Sequence, residues 1–112
     1  MNGPVLPRKL TLETPERTSD GAGGHTIAWT PLGVVWAEME PRRGSETVVA
    51  GANASRQAWR ITVRGAPNGS PQRPRADQRF TDGTRVFNIL AVAEADSEGR
   101  FLICNAEEGL AV

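Results

Sequence analysis

Few residues in this chain are equipped for chemistry. His25 is the single histidine, and Ser19 and Asp20 lie just before it. These are the ingredients of nucleophilic hydrolysis, but no nucleophile-elbow motif surrounds the serine. A small hydrolase built on Ser19, Asp20 and His25 therefore has composition behind it and nothing more. One histidine without a second strong ligand at metal spacing makes no metal site either. Cys104 is the lone cysteine, so no disulfide forms within the chain. It lies in an apolar stretch, where a thiol is buried and inert. The glycines of Gly21-Ala22-Gly23-Gly24 have neither the Lys-Ser/Thr ending of a phosphate loop nor G-x-G-x-x-G spacing. Glu38 and Glu40 share one face of an alternating segment, which suits a solvated or inter-subunit surface. The expectation is no enzyme, no cofactor and no metal.

What remains is charge and aromatic surface. The 112 residues carry 13 basic and 13 acidic side chains, a net charge of zero, and Lys9 is the only lysine. That balance excludes a generic nucleic-acid coat, which needs excess cations to displace counterions. The charges are nevertheless segregated. Residues 1–55 carry five bases and six acids, residues 56–85 seven arginines and two acids, and residues 86–112 one arginine and five acids. Arg56, Arg60 and Arg64 fall every fourth residue, which on a strand is one face. They face either the acidic segment of their own chain or that of a neighbour, so Arg56, Arg60, Arg64, Glu94, Asp96, Glu107 and Glu108 are the candidate contacts between copies. A long Pro/Gly-rich stretch at 65–75 contains Asn68, Gln72, Arg73 and Arg75 with no apolar anchor except Ala66; such loops are often functional. Arginines interleaved with aromatics at Trp59-Arg60 and Arg79-Phe80 support an alternative, a small β-barrel binding single-stranded nucleic acid.

These residues must be positioned by short strands. Residues 8–13, 34–40 and 58–64 alternate polar and apolar, the pattern of half-buried strands. In the second, Val35, Ala37 and Met39 share a face; in the third, Trp59, Ile61 and Val63 do. Residues 27–30, 77–80, 84–93 and 100–106 add further β-prone pieces. Pro15, Pro31 and Pro41 are read as strand ends. Thr18 to Thr26 is a flexible loop, and glycine-bearing turns fall at 81–84 and 96–99. Residues 45–54 predict a short helix capped by Ser45. The fold class is thus all-β: a small β-barrel of about six short antiparallel strands with one short helix and long loops. Residues 1–7 form an extended arm and 8–112 a single domain. No segment has the apolar length of a signal peptide or a membrane span, so no membrane partner is expected and assembly in the cytoplasm is.

The motifs also resemble a known family. Asp20-Gly21-Ala22-Gly23-Gly24, then Trp29, then Val35-Trp36-Ala37 are similar to the first half of the phage head–tail joining proteins, also called head-closure or stopper proteins. Gly44-x-Glu46, Trp59-Arg60-Ile61-Thr62-Val63-Arg64, Arg85-Val86-Phe87-Asn88-Ile89 and Arg100-Phe101-Leu102 resemble the second half. In look the chain is nearest the stopper proteins of alphaproteobacterial gene transfer agents. Ala22 stands where an aromatic is frequent, and the 65–75 segment is longer and more proline-rich than in many members. The resemblance implies a homo-oligomeric ring of about six or twelve copies, with an adaptor and portal ring above and a tail terminator ring below. It implies closure of a channel through which double-stranded DNA passes without sequence readout, and a place in the virion or particle. On that reading Asn68, Gln72, Arg73 and Arg75 are the candidate channel or gating loop. Asp20, Gly21, Gly23, Gly24 and His25 are a candidate contact with an adjoining ring.

Overall fold

Among the described residues six strands follow one another: β1 (Arg8–Ser19), β2 (His25–Val49), β3 (Ala52–Arg64), β4 (Arg79–Asp82), β5 (Arg85–Glu94) and β6 (Phe101–Gly109). The structure, a computed structural model, describes residues 6–49 and 52–109, with backbone alone at 43–49 and 52–56. All pairings are antiparallel, and the order β1-β2-β3-β6-β5-β4 closes on itself through β1 and β4. The expected all-β barrel is therefore present. Most of the arm expected at residues 1–7 lies outside the described residues.

Alternation places the core. Leu10 and Leu12 from β1, Ala37 from β2, Ile61 and Val63 from β3, Phe80 from β4, Phe87 and Ile89 from β5, and Leu102, Cys104 and Ala106 from β6 form one buried cluster. Successive strand residues point to opposite faces, so every second side chain enters the barrel. Burying Phe80 or Phe87 removes an entire aromatic ring from water, a contribution of roughly 2–3 kcal/mol each.

Three corrections concern length. Pro15, Pro31 and Pro41 do not end strands. Each lies where its strand has a neighbour on one side only. β4 pairs with β1 at residues 11–13, leaving Pro15 with β2 alone. β3 joins β2 only from Ala37 onward, and β1 leaves β2 at that same residue, so Pro31 and Pro41 also have one partner strand. A proline without an N–H is tolerated on such a free edge. Pro31 further adjoins a bulge: Leu12 faces Gly33 and Glu13 faces Pro31, leaving Leu32 unpaired. Gly33, at φ 150°, supplies the backbone conformation this bulge requires.

The short helix expected at 45–54 is absent. Ser45 to Val49 pair with Ala52 to Arg56 as a β-ribbon, and residues 50–51 lie outside the described residues. The β-branched run Thr47-Val48-Val49 favours extended backbone, and Gly51 and Asn53 are poor helix formers. The flexible loop expected at 18–26 also shrinks, to residues 20–24 between β1 and β2.

Candidate functional site

The barrel has two unlike ends. At one, where β1 begins and β6 finishes, inward-facing charges cap the core. The Glu108 carboxylate accepts two hydrogen bonds from Arg85, at 2.9 and 3.1 Å, and a third from the Trp59 indole N–H at 3.1 Å. Trp59 meets Phe87 edge-on at 6.0 Å, and the Arg85 guanidinium lies 5.0 Å from the Phe87 ring. The Arg85 hydrogen bonds, helped by Trp59, hold the Glu108 carboxyl below its ordinary range and outweigh its partial burial. Glu108 in turn raises Arg85. Arg8 and Asp82 pair at 2.7 Å in the same region of the barrel.

At the other end residues 65–78 connect β3 to β4. Sequence suggested no anchor here except Ala66, but Pro74 is fully buried. Arg73 is half-buried and donates to the Ala66 carbonyl at 2.9 Å. Two tight turns, Pro67 to Ser70 and Ser70 to Arg73, shape the outer part. The carbonyl of buried Gln78 accepts from the Ile89 N–H, the Asp77 N–H donates to the Ile89 carbonyl, and the Gln78 side chain accepts from the Arg75 N–H. The loop lies beside residues 32–36 of β2, where β3 has already ended, and so covers a strand edge that would otherwise be bare. Gly65 opens it against the β5–β6 turn. A Cβ there would collide with the Gly99 carbonyl oxygen.

The candidate residues are distributed as follows. Asn68, Gln72 and Arg75 are exposed on the loop, whereas Arg73 turns inward. Asn68, Arg73 and Arg75 line a groove with Thr14, Leu32, Ser70, Pro71 and Gln78. Asp20 accepts from the N–H groups of Ala22 at 2.8 Å and Gly24 at 3.1 Å. Its carboxylate ties the hairpin tip and does not orient His25, which is exposed opposite Ser19. No hydrolytic triad is assembled. Arg60 faces outward, half-buried, with its Nε unpaired. Arg64 and Glu94 are exposed. Asp96 accepts from the backbone and side chain of Arg100, and these bonds, with one from Gly99, lower its pKa against the opposing desolvation. Glu107 is half-buried opposite Ala58. The side chain of Arg56 lies outside the described residues.

The basic and acidic segments meet within the chain at the ion pair of Arg85 with Glu108; along β3 and β6, Arg60 faces Asn105 and Arg64 faces Phe101. Sequence reading missed a second cluster. Arg79 pairs with Glu13 at 2.7 Å and stacks 4.1 Å over Trp29, with both charged side chains largely covered. This fastens the projecting β1–β2 hairpin to β4. The interleaved Arg79-Phe80 was the only local hint, and its partners lie too far away in sequence to be foreseen.

Burial pushes the Cys104 thiol up to about 12, although the Arg73 charge pulls the other way. Among the described residues no cluster of three or more His, Cys, Asp or Glu is placed to hold a metal, and no helix is long and apolar enough to cross a membrane. Of the tryptophans, Trp29 lies beneath Arg79, Trp59 packs on the core, and Trp36 is exposed.

Comparison with known proteins identifies the setting. The family model of the phage head completion protein matches residues 1–109. A chain from the virion of a native gene transfer agent particle is similar at 46% identity and a TM-score of 0.85, with 97% of this chain and 100% of that chain covered. No curated protein matches.

Proposed function

The chain belongs to the phage head completion protein family, and from that premise we propose that it is the stopper ring between a capsid's portal–adaptor complex and its tail. The family role is structural, part of completing the head. The observation that carries the finer reading is the whole-length likeness, at 46% identity, to a chain from a gene transfer agent virion. Copies of the chain close into a ring of about six or twelve by head-to-tail contacts. An adaptor and portal ring lies on one side and a tail terminator ring on the other. Double-stranded DNA passes through without sequence readout, in keeping with a net charge of zero. The particle is the protein's final location, reached by assembly in the bacterial cytoplasm.

Within this reading the loop end serves the channel or an adjoining ring. Asn68, Gln72 and Arg75 are exposed on a loop whose root, Pro74, is fully buried. A rigid root with an exposed crest suits a gate, because the crest can be displaced without unfolding the barrel. The glycine tip at 20–24, held by Asp20, is the contact offered to a neighbouring ring.

The test is removal of the chain from a particle-producing cell. The expected result is heads that package DNA, lose it, and carry no tails, with recovery when the chain is resupplied. Tailed, DNA-filled particles in its absence would contradict the proposal.

A further inference from the structure

A barrel that worked alone would keep its outer wall polar. Among the described residues, large apolar side chains are exposed at three places; one, Ile27, stands out on the β1–β2 hairpin opposite Arg17, and the other two lie on the barrel wall. On β2, Val34 and Trp36 are each 54% exposed. They point outward because Val35 and Ala37 point to the core. Lys9 is the cross-strand partner of Trp36 on β1, and Arg64 lines the groove beside Trp36, which has no carboxylate in its lining. On β5, Leu90 is 55% exposed and is the residue inserted by a bulge between Ile89 and Ala91. Ala91 and Ala93 are exposed next to it, and the strand ends in exposed Glu94. β4 pairs with β5 only as far as Asn88. From residue 90 to 94, β5 therefore has β6 on one side and, among the described residues, no strand on the other.

The strand order relates these patches. In β1-β2-β3-β6-β5-β4, two strands separate β2 from β5 in either direction around the closed barrel. The patches occupy opposite walls. The first has Lys9 and Arg64 beside Trp36, with half-buried Glu38 two residues further along the same face of β2; the second ends in Glu94. Neither Arg64 nor Glu94 is paired with an opposite charge among the described residues. Further along β2, Glu40 stands opposite Arg60, so the charge there is balanced locally. A patch and its complement on opposite sides of one molecule define a heterologous contact, which closes a ring when the rotation between copies is fixed.

We propose that the β2 wall of one copy docks on the β5 wall of the next, with Trp36 against Leu90 and with Lys9 and Arg64 facing Glu94. This rests on the ring reading above and adds the surfaces that close it.

The test is site-directed cross-linking of the full chain in assembled particles with a short bis-maleimide. The variants are Trp36→Cys, Leu90→Cys and the double variant; buried Cys104 stays unreactive. The double variant is expected to give a ladder of linked multimers, and each single variant only monomer. Dimers from Trp36→Cys alone would mean a two-fold contact and overturn the proposal. Monomer throughout, in particles whose junction rings are visible, would leave the ring standing and overturn this choice of walls; occupation of the groove by the chain's own N-terminal residues would give that result. No ring in wild-type particles would instead remove the reading beneath it. As a second arm, Arg64→Glu is expected to lower incorporation into particles at least tenfold, and adding Glu94→Arg to recover most of it. No recovery in the doubly reversed variant would contradict the pairing.

Discussion

The two ends of the barrel solve the same problem in different ways. Both must close an open tube of strands over an apolar core. The end near β1's start does so with side chains from five strands: Arg85, Glu108, Trp59 and Phe87 satisfy one another, and Arg8 pairs with Asp82. The other end does so with a loop, which inserts Arg73 and Pro74 and leaves Asn68, Gln72 and Arg75 outside. Groups spent on one another have little left for a partner, whereas an anchored loop keeps its crest available. The first end is closed by groups that pair with one another, and the second keeps exposed side chains on an anchored loop.

The largest expected effect probes that division at its base. Phe87→Ala removes the ring beneath the cap and should lower the unfolding free energy by about 3–5 kcal/mol in chemical denaturation. A loss below about 1 kcal/mol would mean that the capped end is not where stability lies. Arg79→Ala comes next. It deletes an ion pair and a ring stack that are mostly shielded from water, and should cost about 1–2 kcal/mol. Amide exchange should accelerate at residues 14–19 and 25–30 while β6 stays protected. Equal acceleration in both would show that the hairpin and the barrel open as one unit.

Glu108→Gln should cost about 1 kcal/mol at neutral pH, since the pair is partly exposed. Its pH dependence gives a sharper criterion. The folded pKa of Glu108 is lowered, so its stabilisation is present above the unfolded value of about 4.3 and disappears as pH falls through the folded value. The gap between wild type and Glu108→Gln should narrow below about pH 4. A gap unchanged between pH 7 and pH 3 would contradict the assignment. The smallest effect belongs to the other end: Arg75→Ala should shift stability by no more than about 0.5 kcal/mol. In particles it should nonetheless reduce DNA retention, and normal retention would remove the loop crest from the channel.

The barrel itself was legible because its signals are local. The alternation in Trp59-Arg60-Ile61-Thr62-Val63-Arg64 and the turn at Thr81-Asp82-Gly83-Thr84 need no distant partner to be recognised. Proline was misleading for a physical reason: its cost depends on whether a strand has one neighbour or two, which sequence periodicity does not reveal. The 45–54 segment shows the same effect, since Ser45 and the alanines suit a helix until pairing with residues 52–56 decides for a ribbon. The candidate surfaces were legible by charge but not by commitment. Glu108 and Glu94 look alike in the acidic segment, yet one is spent on Arg85 and the other is exposed. Glu13, Trp29 and Arg79 meet across 66 positions of chain, a distance over which spacing carries no information. Pro74 read as another loop proline, although it is the loop's anchor.

The most direct test of the account is an image reconstruction of the head–tail junction in particles containing this chain. The account predicts a closed ring of copies between the portal–adaptor complex and the tail, the loop end against the channel or a neighbouring ring, and the β2 wall of each copy on the β5 wall of the next. A junction without this chain, or with the chain placed elsewhere in the particle, would contradict it.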